Sequence, residues 1–161
     1  MRVLVSACLC GCRCTYRGGE HPRTELARLY AGGKVLPVCP EVLGGLPIPR
    51  PAAEICGGDG ADVLAGRARV VTATGHDVTA AFLLGARRAA DIALAAGIRS
   101  AVLKARSPSC GCGVIYDGSF SRSTRPGDGV AAALLRARGL RVFSDEEQEI
   151  FAREVLADAG D

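Results

Sequence analysis

The chain has 161 residues, a formal net charge of +3 and a hydrophobic fraction of 48%. That length suits one α/β domain over residues 1–161 with a real core, so its eight cysteines are not needed as a disulfide framework. The small charge, with no dense basic run, makes no electrostatic case for nucleic acid, and no apolar run approaches the ~20 residues that cross a bilayer.

The opening "RVLVSA" from Arg2 is apolar but short, and it runs straight into polar sequence. It reads as a first buried strand rather than an export leader, which places the protein in the cytoplasm. Cysteines stay reduced there, so clustered ones point to metal or chemistry rather than to disulfides. The alternating "CLCGCRC" follows, with Cys8, Cys10, Cys12 and Cys14 on one side of the chain if it is extended. Such spacing is a weak zinc signal, because two thiolates usually need a longer gap to reach one ion.

"TELARLYAGG" from Thr24 predicts a helix ended by a glycine pair, and "KVLPV" from Lys34 a second strand. The irregular stretch from Cys39 to Gly66 is too long for a simple connection and reads as a functional loop or as disorder. A third strand is expected at "ARVVTA" from Ala68. A long helix follows, with Asp77 as its cap and Gly97 as its stop. "SAVLKA" from Ser100 is a fourth strand. The loop "SPSCGCGVIYDG" comes next, too rich in glycine and proline for helix or strand. "GDG" at Gly127 to Gly129 predicts a turn that caps another helix, with anion binding by its backbone N–H groups as the alternative. "LRVFS" from Leu140 is a fifth strand, and Ser144 with Glu147 has capping-box spacing before a last helix. The strand runs lack strict alternation, as strands covered on both faces do. The expected fold is a single-domain three-layer α/β sandwich with a mainly parallel, Rossmann-like sheet of about five strands.

Cys8 and Cys39 close the first two strands, and Cys110 lies beyond the fourth. Loops at the carboxyl ends of parallel strands share one edge, so these three thiols can converge. Three thiolates suit a cubane cluster with one iron left open to a soft substrate atom, although spacing alone does not choose iron over zinc. Glu41, Ser107 and Ser109 stand close in sequence to Cys39 and Cys110, where a carboxylate and a hydroxyl can move protons. Arg50 is expected to pair with Glu41 or Glu54, Lys104 to balance charge or serve structure, and Cys56 to act as a small hydrophobe. His21 and His76 read as polar turn residues.

The segments "VSACLCG", "PVCPEVLGGLPIPRPAAEI", "TGHDVTAAFLLGA", "AVLKARSPSCG", "IYDGSFS" and "GDGVAAALL" occur in that order. Together they resemble a bacterial family, long catalogued as a domain of unknown function, that includes the [4Fe–4S]-dependent 2-thiouracil desulfidases. The resemblance runs from about Val3 to Ser144. It implies cluster ligation by Cys8, Cys39 and Cys110 and an open fourth iron. It also implies an acid/base role for Glu41 and a proton-donating role for Ser107. The implied reaction replaces the sulfur of a thiolated nucleobase by oxygen, releasing sulfide without net electron transfer. The chain departs from the family pattern at Cys10, where Leu is usual, at Cys12 and Cys112, and at "TYRG" in place of an Arg-Tyr-Asp-Gly turn. The surplus thiols motivate a second expectation, a metal- or redox-sensing module without turnover. A third, sulfur transfer on transfer RNA, finds little support in the charge or the few aromatics.

Overall fold

A computed structural model describes residues 3–150 and Arg153. Four strands form the central sheet: β1 (Val3–Ser6), β2 (Val35–Val38), β5 (Ser100–Leu103) and β8 (Arg141–Ser144). They lie in the order β2-β1-β5-β8, and every neighbouring pair is parallel. The chain moves one way from β1 to β2 and the other way from β1 to β5, so β1 and β5 flank the topological switch point.

Side chains of β1 alternate between two cores. Val3 and Val5 join Leu26 of α1 (Thr24–Ala31) on one face. Leu4 joins Ala89, Ala90 and Ala93 of α4 (Thr79–Ala95) and Leu135 of α5 (Val130–Ala137) on the other. Helices on both faces explain why the strands read as continuous apolar runs. This is the expected three-layer α/β architecture.

The third expected strand is placed differently. β4 (Arg69–Thr72) is outside the parallel sheet and pairs antiparallel with β3 (Ala53–Cys56). Its side chains explain the difference: Arg69 is exposed while Val70 and Thr72 are buried, the one-sided pattern of an antiparallel ribbon. A second ribbon joins β6 (Val114–Tyr116) to β7 (Thr124–Pro126), so the end of the segment read as loop is a strand. The stretch read as a long loop is ordered into α2 (Pro40–Leu43), β3 and α3 (Gly60–Leu64). Asp59 and Asp62 close α3 with a reciprocal capping box.

The N-cap of α4 is Val78 rather than the expected Asp77, which stands one residue earlier and accepts from the Thr79 N–H at 2.9 Å, and Gly97 (φ +69°) takes the chain off the helix end. Glu147 accepts from the Ser144 N–H at 3.2 Å, one half of the expected box. The last helix is described only over Gln148–Ile150 and at Arg153, and the rest of that expectation lies outside the described residues. Among the described residues no helix is long and apolar enough to cross a membrane.

Candidate active site at the carboxyl edge of the sheet

Each of the three expected thiols follows a strand of the central sheet. Cys8 lies in a 3-10 turn, Ala7–Cys10, directly after β1. Its carbonyl accepts from the Gly11 N–H at 3.3 Å and the His21 N–H at 3.0 Å, and Gly11 turns the chain with φ +95°. Cys39 is the N-cap residue of α2, with Pro40 at the first helical position. Cys110 follows β5 on the "SPSCG" loop. β1, β2 and β5 are adjacent, so all three thiols open on one cavity of about 460 Å³.

The alternating cysteine run is not extended, which overturns a single row of four thiols. The 3-10 turn sends Cys10 into the core with Leu9 and Leu26. Cys14 instead lines the cavity and hydrogen-bonds with the thiols of both Cys39 and Cys8. Cys12, Cys56 and Cys112 stand outside the cavity lining. Cys56 bonds to the Gly118 carbonyl at 3.7 Å, and Cys112 accepts from Arg136 Nη2 at 2.7 Å. Among the described residues no three His, Cys, Asp or Glu side chains close on one point as a single metal ion requires.

Glu41 sits in the first turn of α2, two residues after Cys39. Its carboxylate has two donors. Arg50 Nε reaches Oε1 at 3.1 Å and the Ser109 hydroxyl reaches Oε2 at 2.8 Å. Of the two partners open to Arg50 in the sequence, the structure selects Glu41. Glu54 is occupied elsewhere, accepting from the Gly118 and Phe120 N–H groups at 3.0 and 3.2 Å.

Ser107 does not touch Glu41 directly. Its Oγ accepts from the N–H groups of Ser109 and Cys110 at 3.2 and 3.1 Å, which shapes the loop as a serine turn. It meets the Ser109 hydroxyl at 3.0 Å. Ser109 is therefore the link between the two expected proton-handling residues, and it lies 3.7 Å from the Cys110 thiol. In the sequence Ser109 stands out only as a neighbour of Cys110. Its spacing carries no signal that separates it from Ser107.

The glycines around this loop have a packing reason. The N–H groups of Val130 and Ala131 at the start of α5 donate to the carbonyls of Pro108 and Ser109 at 2.8 and 2.9 Å. Within "GDG" itself the N–H groups of Gly127 and Gly129 donate to the carbonyls of Gly113 and Gly111 at 3.0 and 2.8 Å, so neither is open to an anion. A Cβ on Gly129 would lie 2.6 Å from the Ser109 carbonyl oxygen, so only glycine lets the helix approach. On the other side Ser6, at the end of β1, hydrogen-bonds the Cys110 thiol and accepts from the Lys104 N–H at 2.9 Å.

Lys104, Arg106, Arg17 and Arg122 bring positive charge to the cavity, against the carboxylates of Glu41 and Glu54. Lys104 and His21 both line it, and His21 is an exposed residue outside helix and strand, in keeping with the polar surface role expected for it.

Burial drives the Cys110 thiol up to about 12 from 9.0, and burial with the nearby Cys12 drives Cys10 up to about 11. Cys14 also rises to about 11. Its bond with Cys39 pulls it down, but the bond with Cys8 and burial outweigh that. Cys39 is raised by its bond with Cys14 and then by burial. These groups bind protons more tightly folded than unfolded. Their contribution to stability is whole below pH 9.0 and fades as pH climbs towards 11 to 12. The metal-free protein should accordingly melt at a lower temperature at pH ~10.5 than at pH ~8. A melting curve flat across that interval would contradict this thiol environment. Metal ligation has the opposite dependence, because ligand thiols must shed their protons and higher pH favours loading.

The donor set is soft, all thiol, and gathered at the switch point of a parallel sheet, a combination suited to an iron–sulfur centre. The comparisons agree. One similar solved structure is a [4Fe–4S]-dependent thiouracil desulfidase, TudS, with a TM-score of 0.84 and 43% identity, covering 97% of this chain and 98% of that one. An uncharacterised Bacillus subtilis (strain 168) protein, YbbK, is 45% identical over 145 residues, which cover 90% of this chain and 96% of that protein. The chain matches the 2-thiouracil desulfurase family over residues 3–147, and with that span and those relatives it belongs to this family.

Proposed function

We propose that the protein is a [4Fe–4S]-dependent desulfidase that converts a 2-thiouracil-like pyrimidine to its oxo form and sulfide by hydrolysis, with no net electron transfer. The observation that carries this reading is the contact of Glu41 with Ser109, beside Cys110 and on the rim of a cavity ringed by thiols.

Cys8, Cys39 and Cys110 hold the cluster, each from a different strand end of the sheet. The bound cluster supplies a Lewis-acidic iron for the substrate's sulfur. The chain's own residues handle the water and the protons. Glu41 takes a proton from the water that attacks the thiocarbonyl carbon. Arg50 and the Ser109 hydroxyl fix both oxygens of that carboxylate, so its remaining lone pairs have set directions. The path from Glu41 through Ser109 to Ser107 has hydroxyl contacts of 2.8 and 3.0 Å. Ser107 returns the proton to the substrate's ring nitrogen or to the departing sulfur. Water supplies the oxygen and both hydrogens, so thiocarbonyl plus water gives carbonyl plus hydrogen sulfide in balance.

Anaerobic reconstitution of single variants tests the ligand set. Cys8→Ser, Cys39→Ser and Cys110→Ser should each lose most bound iron and acid-labile sulfide, and Cys10→Ser and Cys12→Ser should load about four irons per chain, as the parent does. Full loading in a variant of the trio would overturn that assignment. Iron bound only with the alternating run intact, and no turnover, would favour the metal-sensing alternative.

A further inference from the structure

Arg50 is a buried cation, its side chain 4% exposed, and each of its three guanidinium nitrogens is engaged by a different partner. Nε donates to Glu41 Oε1 at 3.1 Å, Nη1 to the Pro47 carbonyl at 3.2 Å and Nη2 to the Cys14 carbonyl at 2.9 Å. Its backbone N–H reaches the Tyr16 carbonyl at 2.8 Å. One residue thus ties together α2, the Cys14–Tyr16 segment and its own turn. The Cys14 carbonyl that it grips also accepts from the Cys39 thiol at 3.7 Å.

We propose that Arg50 is the positioning residue of this site, locking the Glu41 carboxylate in register with the loop that carries Cys14 and Tyr16. It works through Glu41 and is not assigned a contact with substrate. The inference rests on the desulfidase reading for its effect on rate. The rigid planar fork explains the choice of arginine: three separate acceptors are met at once, and all stay paired away from water. A lysine brings the same charge on a flexible stem without the fork. Glu41 alone, on a four-residue helix, has only the Ser109 hydroxyl to hold it.

The test is a double-mutant cycle of Arg50→Met and Glu41→Gln, with Arg50→Lys as the conservative variant. Iron per chain, kcat and KM are measured on anaerobically reconstituted protein with 2-thiouracil, and melting temperature on the same samples. Arg50→Met should lower kcat about tenfold or more with KM and iron little changed. Arg50→Lys should recover part of that loss. In the Glu41→Gln background Arg50→Met should cost almost nothing further, because its partner's function is already gone. An unchanged kcat in Arg50→Met, or the same fold-loss in both backgrounds, would overturn the proposal. If the parent protein itself releases no sulfide, the desulfidase reading fails, and the melting temperatures then decide on the pair alone. A double variant that loses less than the sum of the single losses supports the lock. Strictly additive losses overturn it.

Discussion

Glu41→Gln should lower the turnover of iron-loaded protein by about 10²-fold or more and leave its iron content as it was. Glutamine keeps the size of the side chain and an oxygen for Arg50 or Ser109, so α2 has no reason to move. It removes the carboxylate proposed as the base for water. It also places an amide against the cationic Arg50 or against the Ser109 hydroxyl, at positions now 3.1 and 2.8 Å from carboxylate oxygens. Ser109→Ala should give a smaller loss, since it interrupts the hydroxyl path to Ser107 and spares the carboxylate. Turnover retained in Glu41→Gln would remove the central proton-handling role, and a loss of iron would show that the residue instead supports the cluster loop.

Gly85→Ala should lower stability and loading together, although residue 85 lies on α4 and outside the cavity lining. A Cβ there would stand 1.8 Å from the Pro40 carbonyl oxygen, and one on Gly44 would stand 2.0 Å from that of Ala81. The two helices α2 and α4 meet backbone to backbone through this reciprocal pair of glycines. No side chain can rotate out of the way, so α2 itself must shift, carrying Cys39 and Glu41 with it. Overpacking of this kind costs about 3 kcal/mol, which is roughly 6–12 °C of melting temperature for a chain of this size. Reconstituted Gly85→Ala should also retain less iron than the parent. By contrast, Gly33→Ala meets nothing within 4 Å, and it should leave iron loading intact, with only the strain of its positive φ to bear.

Much of this arrangement is legible in the amino-acid sequence. The Val- and Leu-rich runs from Arg2, Lys34, Ser100 and Leu140 do form one parallel sheet, because burial on both faces leaves that composition behind. Their ends then had to share an edge, and Cys8, Cys39, Cys110 and Glu41 meet there. The run at Ala68 differs because a short ribbon strand also carries Val-Val. Only the exposure of Arg69 tells the two apart, and exposure is a tertiary property. The same limit explains the alternating cysteines. Extended geometry puts four thiols on one side, but the chain takes a 3-10 turn after Ser6, so Cys10 is buried and Cys14 reaches the cavity. Ser109 and Arg50 were undecidable for a different reason. A serine beside a cysteine and an arginine between prolines become site residues through contacts with Glu41 that are 68 and 9 positions away in the chain. At Gly127 to Gly129 the turn and helix cap are present, and the N–H groups of Gly127 and Gly129 donate to the carbonyls of Gly113 and Gly111 rather than standing open to an anion.

On the proposed mechanism the iron-loaded protein exchanges sulfur for oxygen without consuming electrons. The most direct measurement is the stoichiometry of anaerobic 2-thiouracil turnover by reconstituted protein, with no reductant or oxidant added. The expected result is many turnovers per chain, with one uracil and one sulfide for every thiouracil consumed. Turnover that stops after a single equivalent, or that requires an added electron donor, would contradict it.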